Sequence, residues 1–598
     1  MENNSKKIDN IMSTRWSSGI DRENVLSEYP RPQMKRKEWL NLNGLWDYAV
    51  LPRNQNDCRH YEGKILVPFP LESALSGVQR NLHPDEKIVY RRFFQLPGEW
   101  IGKRLILHFG AVDWLARVII NGVTLGEHQG GFCPFSFDIT DFVNSGSNEI
   151  TVSAWDPTDR GTQERGKQSL KPGWIFYSAV SGIWQTVWLE PVSRVFIENI
   201  RMLPDTDNEL LKLEVNIKGR NSNNRIEAAV FEGTEMVTRV NTINNQNITI
   251  PIKNQRLWSP DDPFLYKINI RLHEYDTVTD EIDSYFGMRK FSIEKDDKGF
   301  KRLFLNNKPL FQNGPLDQGY WPDGLYTAPT DSALCYDLQV AKKMGFNMIR
   351  KHVKLEPARW YYHCDRIGLI VWQDMPSGGG NLKKIFQALL PNILPSLTVS
   401  DRRYKLFGRS DPGSRNNFLK EVKETVDALY NHPSIGMWVI FNESWGQFDA
   451  KQIYKWLATY DSSRYIDSTS GWFDQGAGHI KSIHTYFRKL KWPKNVRERA
   501  VIISEYGGYS LQVKGHLWRE KNNFGYKTVK TMKELETAYC KLFEKQVKPL
   551  IKKGLSGVVY TQLTDVENEV NGLLTSDREI TKINPANLFD LHRETKRE

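Results

Sequence analysis

Residues 345–376 read GFNMIRKHVKLEPARWYYHCDRIGLIVWQDMP, and the order of textures inside them decides the fold. FNMIRKH (346–352) is a short apolar run that ends in charge. Pro357 opens a helix in its first turn, where a missing N–H costs nothing, and Gly368 closes it. LIVWQD (369–374) is a second apolar run of the same kind. Strand, helix and parallel strand therefore form one unit. The rhythm recurs on both sides: PLFQNG (309–314), IGMWVIF (435–441), RYIDST (464–469), SIHTY (482–486), VIISE (501–505) and GVVYTQ (557–562) bring the total to eight strands. Helices are predicted after Thr330-Asp331 and up to Gly345, over the face Phe418, Val422, Val426 and Leu429, and across 530–553. Eight parallel strands, each buried on both faces, close into a (β/α)8 TIM barrel. No GxGxxG follows the first strand, which argues against an open dinucleotide-binding sheet.

Upstream of residue 296 the texture changes to alternating runs, among them RLILHFGAV (104–112), ARVIINGVTLG (116–126), EITVSAW (149–155), LKLEVNIKG (211–219) and YKINIRLHEY (266–275). Turn signals such as Asn121-Gly122 separate them, as in a β-sandwich. A composition shift near 192–200 divides this half, so we expect an N-terminal extension (1–27), one sandwich over 28–192, a second over 193–295, and the barrel over 296–598.

Composition excludes several classes. The chain has 598 residues, with 82 Lys and Arg against 71 Asp and Glu, a net charge of +11. That charge is spread along the chain without a basic tail, zinc finger or RNP-like motif, so nucleic acid is not an expected partner. No run approaches the length that spans a bilayer, so no membrane is expected. The five cysteines are scattered and form no CxxC pair. Residues 1–10 are polar and lack the apolar core of a signal peptide, which predicts a cytoplasmic location unless a leader has been removed.

A barrel of this kind carries its reactive groups at the C-terminal ends of its strands. Strand two ends in Arg350 and His352, strand three in Asp374, strand four in Asn442-Glu443, strand six in His484 and Tyr486, and strand seven in Glu505. A glutamate at a strand end is ordinarily solvated or salt-bridged. Glu443 and Glu505, however, each terminate a buried apolar run, where an unpaired charge costs several kcal/mol. Strands four and seven face each other across a barrel, so the two carboxylates can approach to roughly 5–5.5 Å, the spacing of double displacement at an acetal carbon. Tyr486 is either a core-edge tyrosine or a donor to Glu505. His352 and His484 fit no HExxH pattern and read as structural or substrate-contact groups rather than metal ligands.

Two of these segments, NHPSIGMWVIFNESWGQFD (431–449) and VIISEYGG (501–508), resemble the acid/base and nucleophile signatures of glycoside hydrolase family 2, which holds β-galactosidases, β-glucuronidases and β-mannosidases. The resemblance covers almost the whole chain. NLNGLWDYAV (41–50), residues 109–140 and SGIWQTVWLEP (181–191) are similar to its sugar-binding jelly roll; LWSPDDPFLY (257–266) and YFGMRKFSI (285–293) to its immunoglobulin-like domain; and 345–376 to its second and third barrel strands. It implies Glu443 as general acid/base, Glu505 as nucleophile, a covalent glycosyl-enzyme and net retention. It also implies that Asn442 bonds the sugar 2-hydroxyl, that Tyr486 contacts the nucleophile and that Arg350 braces it. No cofactor and no metal are implied; the partner is a carbohydrate substrate, and a homo-oligomer stays open.

Departures fall at the sugar pocket. Gln562 stands where the family commonly ends strand eight in tryptophan, and His352 sits one place earlier than the usual histidine. With Asp374 and His484, these are the expected substrate contacts, and Trp472, Trp445 and Trp321 are candidates for stacking on sugar faces. No Asn-Lys carboxylate clamp of the β-glucuronidases is present. An insertion from Ser377 to Asn416 carries Lys383, Lys384, Arg402, Arg403, Lys405, Arg409 and Arg415; it reads as an ordinary surface loop or as a selector of an anionic oligosaccharide. The jelly roll reads as a brace that can lend a loop to the pocket. The resulting expectation is an exo-acting retaining β-glycosidase. A transglycosylase using the same intermediate, or a non-catalytic glycan-binding protein, is the alternative.

Overall fold

In a computed structural model, residues 12–219, 224–243, 247–380, 398–493, 496 and 498–594 are described. The first sandwich pairs a six-stranded antiparallel sheet with a four-stranded one. Asn121 and Gly122, both at positive φ (48° and 82°), turn the hairpin between Leu115–Ile120 and Val123–Gln129, as the Asn-Gly pair predicts. The second sandwich has three strands facing four: Phe196–Asp205, Leu210–Lys218 and Asn247–Pro251 against Glu235–Ile243, Asn224–Glu232, Tyr266–Glu274 and Thr277–Phe286.

All eight predicted barrel strands form: Gln312–Asp317, Met348–Lys351, Ile370–Asp374, Ile435–Val439, Tyr465–Asp467, Ile480–Thr485, Ala500–Gly507 and Leu555–Thr561, one to eight in chain order. Their ladder runs 5-4-3-2-1-8-7-6 and is parallel throughout. The seam lies between strands five and six, where the His479 N–H donates to the Ile466 carbonyl at 2.9 Å. Helices follow strands one, two, three, four, seven and eight, but among the described residues none follows five or six. The connection from 468 to 479 contains Gly471, Gly476 and Gly478, all at positive φ, which spoils any helix there.

Local chemistry sets the helix ends. Thr330 caps helix Asp331–Lys343 through the Ala333 N–H, and Asp411 caps Pro412–Leu429 through the N–H groups of Gly413 and Ser414. The predicted long helix is Met532–Ile551, with a π turn at Phe543–Val547. At the bottom of the barrel the hairpin Phe291–Leu305 closes the interior. Phe291, Leu303 and Leu305 share one apolar cluster with Met348, Ile370, Trp372, Met437 and Ile502. The described part of the N-terminal extension is built into the fold: Thr14 N and Oγ1 donate to Asp323 Oδ2 of the barrel, while Ile20, Val25 and Leu26 pack on Leu66 and Phe69 of the first sandwich. No described helix is long and apolar enough to cross a membrane.

Candidate active site

With the bottom closed, the open end of the barrel is the end where the strands terminate in charge. Arg350, fully buried on strand two, is the hub. Its guanidinium donates twice to Asp374 (Nε to Oδ1 and Nη2 to Oδ2, both 2.9 Å), to the Ser504 carbonyl (2.9 Å), to Glu505 Oε1 (3.2 Å) and to Asn442 Oδ1 (2.9 Å). One planar cation thus aligns the ends of strands two, three, four and seven. His352 bonds Asp374 Oδ2 through Nδ1 at 2.7 Å. Burial and then the Lys167 ammonium push its pKa down, against the pull of Asp374.

Glu505 is buried, and the Tyr486 hydroxyl donates to its Oε2. Burial alone pushes its pKa up, but electrostatic interaction with His484, Arg350, His352 and Lys167 outweighs it and holds the carboxyl at about 2. Tyr486 is itself clamped face to face on Tyr526, with ring centroids 3.7 Å apart. Sequence reasoning had no means of finding Tyr526, because it arrives on a loop.

Glu443 stands just past strand four in an unusual backbone. It and Ser444 both adopt positive φ (49° and 62°), and its N–H is held by the Ser470 carbonyl at 2.9 Å. Two successive non-glycine residues in this region turn the chain sharply into the mouth. His484 lies between the acids: Nδ1 is 2.9 Å from Glu443 Oε1, Nε2 is 2.9 Å from Ser470 Oγ and 3.7 Å from Glu505 Oε1. A Cβ on Gly471 would lie 2.7 Å from this ring, so that glycine is required both by contact and by its φ of +87°. One carboxylate oxygen from each glutamate and a His484 nitrogen all fall within 4.8 Å of one another, a separation a metal ion would also accept. The predicted pair therefore shares one site, at a gap no wider than direct capture requires.

The other predicted residues fall in three places. Trp472 is half-buried with its edge toward His484, centroids 6.2 Å apart. Gln562 is fully buried, and its amide is committed at both ends: Oε1 accepts from Gln318 Nε2 (2.9 Å) and Nε2 donates to Asn571 Oδ1 (2.8 Å). Trp321 is packed under the Arg578 guanidinium and against Trp16, inside the core. In the insertion, Arg409 is buried on Glu164 and on the carbonyls of Ser377 and Gly446, and Arg415 donates to the carbonyls of Arg409 and Ser410. These two arginines hold backbone. Arg402 is exposed beside Asp449, and Lys383 and Lys384 lie outside the described residues.

The first sandwich does lend a loop, and it is a wall of the mouth. Phe176 stacks on Trp445 (5.5 Å), the Tyr177 hydroxyl donates to Glu569 Oε2 (2.5 Å) and the Ser178 N–H to Glu567 Oε1 (2.7 Å). Arg165 donates to the Gly379 carbonyl at 3.0 Å. Lys167, between these contacts, was not singled out by sequence, since nothing in RGKQSLKPG marks it.

Comparison with known proteins agrees with this layout. Residues 65–190, 195–289 and 298–586 match, in order, "Glycosyl hydrolases family 2, sugar binding domain", "Glycosyl hydrolases family 2" and "Glycosyl hydrolases family 2, TIM barrel domain". A β-galactosidase of Thermoanaerobacter pseudethanolicus is 26% identical over 69% of this chain and 53% of its own length; a putative β-glucuronidase of Formosa agariphila is 27% identical over 59% and 40%. The chain thus spans about half the length of these curated relatives. Among solved structures, a β-D-glucuronidase of Dictyoglomus thermophilum superposes with a TM-score of 0.72 at 18% identity, covering 95% of this chain and 98% of that one. A β-galacturonidase of Eisenbergiella tayi bound to galacturonate gives 0.70 at 19%, over 95% and 99%. These likenesses share the fold across its whole extent. Three consecutive domain matches over one continuous architecture place the chain: it belongs to glycoside hydrolase family 2.

Proposed function

We propose that this protein is a retaining β-glycosidase that releases a terminal β-linked sugar by double displacement. One observation carries the reading: two glutamates at opposite strand ends share a site within 4.8 Å, and their surroundings differ in kind. Glu505, held ionised by Arg350 and Tyr486, is the nucleophile that attacks the anomeric carbon. Glu443 is the acid that protonates the departing oxygen and then the base that activates water, with His484 fixing its orientation. Asn442, oriented by Arg350, is placed to bond the sugar 2-hydroxyl as charge develops at the anomeric carbon. Tyr486 releases its hydrogen bond as Glu505 becomes an ester. His352 and Asp374 bound the sugar side of this floor. Gln562, spent on Gln318 and Asn571, supports the floor from below.

The names borne by the relatives, β-galactosidase, β-glucuronidase and β-galacturonidase, support a β-configured hexose or hexuronic acid as the sugar. The test is a panel of aryl α- and β-glycosides of galactose, glucose, mannose, arabinose and the uronic acids, with the first-formed anomer read by proton NMR. Release of the β-anomer from a β-glycoside supports the reading; release of the α-anomer, or no turnover anywhere on the panel, defeats it. Product analysis with added acceptor alcohols separates hydrolysis from transfer.

A further inference from the structure

Four described lysines are almost completely buried: Lys167, Lys351, Lys354 and Lys582. Three have carboxylate partners: Lys351 pairs with Asp317 (2.6 Å) and Glu356 (2.8 Å), Lys354 with Glu356 (2.9 Å) and Lys582 with Asp565 (2.6 Å). Lys167, 7% exposed, has none among the described residues. Its backbone carbonyl accepts the Tyr177 N–H at 2.9 Å, and its ammonium lies over the Tyr177 ring, 5.8 Å from the centroid. The other three ammonium groups are compensated by pairing, whereas that of Lys167 is left without an anionic partner among the described residues.

Its place is well defined. A Cβ on the preceding Gly166 would fall 2.6 Å from the Tyr326 hydroxyl and 2.9 Å from the Val353 carbonyl, so the loop presses against the residue that follows His352. On the other side, Tyr177 bonds Glu569, Glu569 accepts from Asn571 at 2.9 Å, and Asn571 bonds Gln562. Lys167 is therefore held between strand two and the loop after strand eight. Its charge is felt at Glu505, His352 and Glu569, each of which it pulls toward lower pKa, although it forms an ion pair with none of them.

We propose that Lys167 is the charge-reading group of the sugar subsite, pairing through its ammonium with an oxyanion carried by the terminal sugar, either a uronic carboxylate or a sulfate ester. This rests on the glycosidase reading above. A sugar hydroxyl can accept a hydrogen bond from the ammonium but leaves its charge uncompensated, whereas an oxyanion supplies the partner that the protein withholds. The selector then belongs to the first sandwich, and the barrel beneath it performs chemistry indifferent to the substituent.

The experiment compares wild type, Lys167→Gln and Lys167→Arg on aryl β-galactoside, β-galacturonide, β-glucuronide and 6-sulfo-β-galactoside, with thermal unfolding of each variant as a check on folding. The ratio of kcat/KM on the preferred anionic arm to that on the neutral galactoside should fall about 100-fold in Lys167→Gln and largely return in Lys167→Arg. Whichever anionic arm collapses distinguishes carboxylate from sulfate. An equal loss on neutral and anionic arms would make Lys167 an electrostatic support for Glu505 and overturn the proposal, as would a wild-type preference for the neutral sugar. Calorimetric binding of free galacturonate, galactose 6-sulfate and galactose to wild type and Lys167→Gln reads the same selectivity without turnover. If turnover is absent but the anion preference is present and lost in the variant, the glycosidase reading fails and the role of Lys167 stands; if turnover occurs without that preference, the reverse holds.

Discussion

At the floor of the mouth Arg350 commits its guanidinium to four barrel partners, whereas on the wall above it Lys167 commits its ammonium to no carboxylate among the described residues. Both cations are buried. The floor is closed on itself: Arg350, Asp374, Asn442 and Glu505 are bonded together, and Glu505 is held ionised. The wall is anchored by its neighbours Phe176, Tyr177 and Ser178, but keeps a charge in reserve. A closed network performs one operation on any ligand that reaches it, while an unsatisfied group distinguishes between ligands. Changes on the floor should therefore lower activity on every substrate alike.

The sharpest way to break this contrast is Glu505→Gln. It removes the carboxylate proposed to attack the anomeric carbon while keeping the Arg350 and Tyr486 contacts near their present geometry. We expect kcat on every aryl β-glycoside to fall by about 10⁴-fold or more, with the unfolding transition intact. Activity within tenfold of wild type would remove Glu505 from the chemistry. The pH dependence sharpens the same point. The folded-state pKa of Glu505, about 2, is depressed below the ordinary glutamate value of about 4.3, so its contribution to stability is complete above that value and is lost as pH falls toward 2. Acid unfolding monitored by circular dichroism should show a weaker pH dependence between about pH 4 and 2 in Glu505→Gln than in wild type.

Glu443→Ala comes next. Substrates with poor leaving groups should lose about 10²–10⁴-fold in kcat/KM, and activated aryl glycosides far less, because only the former need a proton on the departing oxygen. Steady-state rates across a series of phenols of graded pKa provide the measurement. Equal losses across the series would mean that Glu443 does not act as the acid.

How far each region could be read from sequence follows the same division. The floor was legible because strand ends are sequence-local: an apolar run terminating in Arg350, Asp374, Glu443 or Glu505 announces both the strand and the group it presents. Gln562 shows the limit, since strand-end position placed it correctly but could not reveal that Gln318 and Asn571 already hold its amide. The helices missing after strands five and six were hidden for a related reason: an average (β/α)8 rhythm overrode the glycines between 468 and 479. The wall was illegible because its meaning is tertiary. Gly166 and Lys167 sit in a loop with no periodicity, and only the approach of Val353 and Tyr326 from another domain gives them a role.

Arg350→Met tests whether the floor is one unit. Removing this cation leaves Asp374 and Glu505 buried without their shared partner, and breaking a buried network of this kind costs about 3–5 kcal/mol. Denaturant unfolding should show that loss, with kcat/KM falling on neutral and anionic glycosides by similar factors. A loss confined to one class of sugar would move specificity from the wall to the floor.

The smallest effect is expected at the rim of the wall. Trp174, 73% exposed, stacks on Phe524 with centroids 6.3 Å apart and planes 8° from parallel. Exposed stacking of this kind contributes about 1 kcal/mol or less, so Trp174→Ala should lower stability by no more than that and leave the anion-to-neutral ratio of kcat/KM in place. The buried anchors predict otherwise for Tyr177→Phe, which strips Glu569 Oε2 of the hydroxyl bonded at 2.5 Å and should cost about 1–3 kcal/mol. If Trp174→Ala proved the more damaging of the two, the loop would be held by its exposed rim, and a wall held that way could not keep the Lys167 ammonium in one place long enough to discriminate between sugars.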